Sequence, residues 1–86
     1  MMTKKKPTDK EIQETQNWGT WSKEKSEFPW FYDSTETCYI LEGKATVTDK
    51  EGNSLSFEAG DMVTFEQGLE CEWNITEAIK KKYMFS

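Results

Sequence analysis

The chain has 86 residues, enough to close one small domain around a single core and too few for a second. Its 11 basic and 16 acidic side chains leave a net charge of −5, which opposes attraction to a phosphate backbone or an anionic membrane surface. No apolar run approaches the roughly 20 residues that span a bilayer, and residues 1–10 lack the apolar stretch of a signal peptide. The expectation is therefore a cytoplasmic protein with neither nucleic acid nor membrane as partner.

Residues 1–16 are charged and carry one branched aliphatic side chain, Ile12, while Thr8 followed by Glu11 has the spacing of a helix capping box. This predicts a polar N-terminal segment over 1–16 with at most two turns of helix, followed by a folded domain over 17–86. Lysines at 4–6 and 80–82 read as solvated faces. From Trp18 onward, aromatic and β-branched residues come in short stretches broken by glycine or acidic turns, the pattern of an all-β domain.

Alternation along each stretch assigns faces, because successive side chains of a strand point to opposite sides. Phe28, Trp30 and Tyr32 share one face of the first clear strand, and Pro29 places it at an edge. Residues 37–41 are apolar on both faces, with Glu36, Cys38 and Ile40 on one and Tyr39 and Leu41 on the other; Ala45 and Val47 then alternate with polar neighbours. Residues 49–53 form the turn of a hairpin that continues through Leu55 and Phe57. Breaks at 59–61 and 67–69 separate residues 62–65 from a strand with Cys71, Trp73 and Ile75 on one face, and residues 82–85 supply the last strand. About eight short strands at this spacing predict a sandwich or closed barrel.

Two glycine-containing stretches carry a resemblance. Residues 36–43, from Glu36 to Gly43, resemble the second half of the first cupin motif, and residues 60–71, Gly60-Asp61 through Gly68 to Cys71, resemble the second. With Trp18, Trp21, Trp73 and the ending at 80–83, the chain is similar to small single-domain cupins of the ureidoglycine aminohydrolase-like subfamily. The resemblance implies an all-β fold, a single cupin (RmlC-like jelly-roll) barrel with a short N-terminal helical turn. It also aligns Trp30, Tyr32, Glu36 and Cys71 with the four positions where metal-binding cupins place ligands, positions that in the aminohydrolases hold a glutamate, two histidines and a glutamine. This chain has no histidine, which counts against a hydrolase of that type, and no metal or other cofactor is expected.

The candidate ligand pocket consists of Trp30, Tyr32, Glu36, Cys38, Cys71 and Trp73. Glu36 is a carboxylate on an inward face, either a functional group or a structural one bonded to Tyr32 or to backbone amides. Cys38 and Cys71 form no C-x-x-C pair; facing each other across the barrel, they and Glu36 make a poor closed metal site, and packing as free thiols is the preferred reading. Three functions stay open: a metal-free cupin that binds a small-molecule ligand, a hydrolase or isomerase with Glu36 as general acid or base, and an interaction module in which the outward Tyr39 and Leu41 face pairs with a second copy as a homodimer.

Overall fold

The structure, a computed structural model, describes residues Met1 to Ser86. Seven strands run in the order β1 (Met2–Lys5), β2 (Gly19–Lys23), β3 (Ser26–Phe31), β4 (Glu36–Asp49), β5 (Ser54–Glu58), β6 (Met62–Phe65) and β7 (Glu70–Phe85), with one helix, α1 (Asp9–Glu14), and a 3₁₀ turn over Thr15–Asn17 between β1 and β2. The all-β cupin jelly roll expected from the sequence is the observed fold. No helix is long and apolar enough to cross a membrane.

Two long strands organise the molecule. β4 and β7 pair antiparallel along almost their whole lengths, from Glu36 opposite Phe85 to Asp49 opposite Cys71. The first half of β4 carries β6 and then β1 on its other side, and its second half carries β5. Likewise β2 pairs with the end of β7 and β3 with its beginning, while β2 and β3 do not pair with each other. Two layers thus face each other, joined where both long strands bend, and the side between β2 and β3 is left open.

The bend lies at Gly43. The register between β4 and β7 shifts three times between Ile40 and Ala45, and Gly43 has φ of +91°. This irregularity is why inward positions change from Glu36, Cys38 and Ile40 to Ala45 and Val47 without the strand ending. The sequence reading splits this stretch into two strands, and likewise residues 71–85; both are corrected to single strands because pairing with the other long strand carries through the break. Tyr39 and Leu41 lie on the outer face and are half-buried.

The N-terminal segment also departs from expectation. Thr8 and Glu11 do form the capping box that starts α1, but residues ahead of it add the unexpected β1 to the free edge of β6. Two lysines hold it down: Lys6 Nζ lies 2.7 Å and Lys4 Nζ 3.8 Å from the buried Asp61 carboxylate, which also accepts from the Glu58 backbone N–H. Burial pushes the Asp61 carboxyl up, yet the Lys6 hydrogen bond, the Glu58 N–H and the two lysine charges outweigh it and hold it below the usual carboxylate range. A carboxyl depressed in the folded state contributes stability that is present above its unfolded pKa and lost as pH falls through the folded value. Acid titration of stability should therefore show a loss below about pH 4, and Asp61→Asn should lower stability by about 1–3 kcal/mol at neutral pH while flattening that acid limb. Chemical denaturation at stepped pH measures both.

The core lies between the layers, with Trp73, Phe65, Ile40, Ile75 and Ile79 its largest fully buried side chains. Its aromatic rings meet in stacked and edge contacts, among them Tyr32 on Phe65 with centroids 4.8 Å apart and Phe57 edge-on to Trp73 at 5.4 Å.

Candidate functional site

Inward positions near the open side of the barrel do not all meet across the layers. They surround a cavity of about 230 Å³ whose walls are aromatic, with Trp21 from β2, Phe28 and Trp30 from β3, Trp73 and Tyr83 from β7, and Tyr32 just beyond β3. Its only charged side chains are Glu36 from β4 and Lys81 from β7.

These two form a buried ion pair. Lys81 Nζ donates to Glu36 Oε2 at 2.8 Å and to Cys38 Sγ at 3.3 Å, and the Cys38 S–H donates to the same Glu36 oxygen at 2.9 Å. Each side chain of the pair is less than a tenth exposed. The ammonium also lies 4.9 Å from the ring centroids of both Trp21 and Trp73, where the negative faces of the indoles attract it. A charge removed from water needs such multiple partners, since the cost of desolvation is several kcal/mol per ion.

The sequence reading assigns residues 80–82 to a solvated face, and for Lys81 this is wrong. The signal was present in the alternation: Ile79, Lys81 and Tyr83 fall on the face that Cys71, Trp73 and Ile75 begin, so Lys81 points inward while Lys80 is exposed. The same finding corrects the structural alternative for Glu36, whose partners are Lys81 and Cys38 and neither Tyr32 nor backbone amides.

Of the residues expected in a pocket, Trp30, Tyr32, Glu36 and Trp73 border this cavity. Tyr32 is fixed there because its hydroxyl accepts from Trp73 Nε1 at 3.1 Å, and burial, reinforced by the Glu36 charge, pushes its phenol far above its usual pKa. Cys38 lies behind Glu36 and does not line the cavity. Cys71 points to the core but lies elsewhere, its thiol 3.6 Å from the Trp30 carbonyl and beside a shallow depression that includes Asp49 and Glu70. The two thiols therefore do not share a site, contrary to the reading that has them face each other.

Both thiols are held protonated. Burial pushes Cys38 well above the usual thiol range despite the Lys81 charge, and burial with the charge of Asp49 pushes Cys71 up to about 11. Because thiolate is the attacking species, both should react slowly with a thiol reagent in the folded protein, Cys38 more slowly than Cys71, and fully after denaturation. Mass spectrometry of a labelling time course measures this; rapid native modification of Cys38 would contradict the geometry.

The residues at the cupin metal positions do not suit a metal. Trp30 offers no lone pair, the Tyr32 oxygen is engaged by Trp73, Cys71 turns to a carbonyl, and Glu36 is bonded to an ammonium that would repel a cation beside it. No three His, Cys, Asp or Glu side chains converge in an arrangement that could hold a metal ion.

The fold and site together define a small cupin whose cavity, at the open side of the barrel, carries its own cation, the Lys81 ammonium. Comparisons with known proteins agree on the class. The sequence model of the EutQ-like cupin domain matches residues 11–83, and the chain belongs to that family. It is similar to a DUF861-family protein from Thermotoga maritima at 44% identity over 100% of both chains, with a TM-score of 0.97. A protein of unknown function of the same family from Pseudomonas syringae pv. tomato is 28% identical, covering 79% of this chain and 29% of that one, with a TM-score of 0.71. A putative ethanolamine utilization protein Q from Salmonella typhimurium shares the fold, with a TM-score of 0.72 at 19% identity over 98% of this chain and 68% of that one. The comparison with curated proteins gave no match.

Proposed function

We propose that this cupin binds a small molecule in the cavity above the Glu36–Lys81 pair. The observation that carries the reading is the position of that pair, buried yet open to an aromatic-walled space. An ion pair in a core gives little or no stability over apolar residues of the same size. Placed at a cavity floor, it supplies the few convergent polar groups by which an apolar pocket orients a ligand. Trp30, Tyr32 and Trp73 serve as walls, Glu36 and Lys81 as floor, Cys38 as the group that fixes Glu36 from behind, and Cys71 as packing under Trp30.

A thermal-shift screen of small metabolites followed by calorimetry tests this. At least one compound should raise the melting temperature of the wild type and leave a variant without the pair, Glu36→Leu with Lys81→Met, unchanged. If no compound stabilises the wild type, or if hits stabilise both proteins alike, the reading fails.

A second reading, an acid–base hydrolase or isomerase akin to the ureidoglycine aminohydrolases, draws on the same pair. A carboxylate and an ammonium 2.8 Å apart beside a cavity can take and return a proton. Turnover of ureidoglycine or a related amide by protein purified without chelator, with its metal content measured alongside, would favour this reading over passive binding. A preparation with neither turnover nor bound metal would leave it without support.

A further inference from the structure

The hydrogen-bonding capacity of the cavity floor is only partly used. Lys81 has three N–H groups and spends two, on Glu36 Oε2 and Cys38 Sγ. Glu36 has two oxygens, and both of its hydrogen bonds fall on Oε2. Oε1 takes none from the protein, and it is not sealed away, since Ser26 Oγ is the only buried side-chain polar atom without a partner. One N–H of Lys81 and one oxygen of Glu36 are thus without a hydrogen-bond partner in the protein, and the formal charges of the two side chains cancel.

This combination selects among ligands. An anion would compete with Glu36 for an ammonium already committed, a cation would meet that ammonium on its way to the carboxylate, and neither finds a counter-charge elsewhere in the walls. A neutral molecule with adjacent C=O and N–H groups meets both unused positions without bringing in uncompensated charge. The walls add a shape requirement: Trp21, Phe28, Trp30, Tyr32 and Tyr83 present aromatic surface to the cavity, to which a flat ring is complementary. Size follows from volume. A buried cavity of about 150 Å³ takes up benzene, so 230 Å³ fits one ring with a few substituent atoms.

We infer that the ligand is a flat, neutral, single-ring molecule with a cis-amide edge, its carbonyl accepting from Lys81 Nζ and its N–H donating to Glu36 Oε1. This ligand class presupposes that the cavity binds small molecules, as proposed above. In it the Lys81 ammonium polarises and orients a carbonyl from the place beside the motif glutamate.

Calorimetric titration of the wild-type chain with four single-ring probes tests the class: 2-pyridone, N-methyl-2-pyridone, benzoate and benzylammonium. The expected order puts 2-pyridone first, with each of the others weaker by about tenfold or more, the loss that accompanies one hydrogen bond to a charged group left unmade. Benzoate or benzylammonium binding as tightly as 2-pyridone would overturn the ligand class and leave the binding reading standing. Equal affinity for the two pyridones would remove the role given to Glu36 Oε1. If none of the four binds while the metabolite screen yields a hit, the class falls alone; if both are blank, both readings fall.

Discussion

Gly43→Ala should destabilise the chain more than alanine at any other of its glycines, lowering stability by about 4 kcal/mol or more. Two costs combine at this position. At φ +91° an L side chain is strained by about 1–3 kcal/mol. In addition, a Cβ there would sit 2.1 Å from the Ala78 carbonyl oxygen, and this neighbour is backbone of β7 that cannot turn aside. Relieving the overlap would separate the two long strands where both layers are joined, adding the 1–3 kcal/mol or more typical of overpacking. For a domain whose whole stability is about 5–15 kcal/mol the loss is severe. Gly52→Ala is the control, because φ is +87° with nothing within 4 Å of the new methyl, so only the backbone strain is paid. Urea denaturation of the two variants separates clash from strain; equal losses would mean that the bend gives way and is not the fixed hinge of the barrel.

The second large effect belongs to the ion pair. Lys81→Met removes the ammonium from Glu36, Cys38 and two indole faces at once, and should cost about 3–5 kcal/mol because a buried carboxylate is left without its partner. Glu36→Leu should cost a similar amount by stranding Lys81. The double variant, Glu36→Leu with Lys81→Met, should recover to within about 1 kcal/mol of the wild type or exceed it, since an apolar pair of similar volume avoids desolvation altogether. Thermal and urea denaturation of the four proteins forms a double-mutant cycle. A double variant that loses as much as either single would show that the pair is a structural support and would weaken the reading that keeps it for a ligand, and one as damaged as the sum of the singles would show no coupling and contradict the buried pair itself.

The barrel was legible because its signals are repeated. Alternation in five strands, a glycine in each of the turns that follow β4, β5 and β6, and the motif spacing from Glu36 to Gly43 and from Gly60 to Cys71 all point to one architecture, and local consistency of that kind is what specifies a fold. The first strand was not legible: Met2–Lys5 has a single apolar residue, and it becomes a strand only because the free edge of β6 and the Asp61 carboxylate lie beside it. Half of the site could be read in the same way. Face assignment by alternation put Trp30, Tyr32, Glu36 and Trp73 inside, and they border one cavity. Lys81 was hidden by its neighbours, because in a run of three lysines composition suggests solvent where position suggests the core. Cys71 shows the opposite limit: its face was assigned correctly as inward, but alternation gives a side and not a location along the barrel, so it could not tell that the thiol ends under Trp30.

The claim that the cavity takes a small molecule is tested most directly by the indole N–H resonances of the four tryptophans. Trp21, Trp30 and Trp73 border the cavity and Trp18 does not. In ¹⁵N-labelled protein titrated with 2-pyridone and with any hits from the metabolite screen, the signals of Trp21, Trp30 and Trp73 should move together and saturate, while that of Trp18 stays in place. No movement at any concentration, or movement led by Trp18, would contradict a ligand site above Glu36 and Lys81.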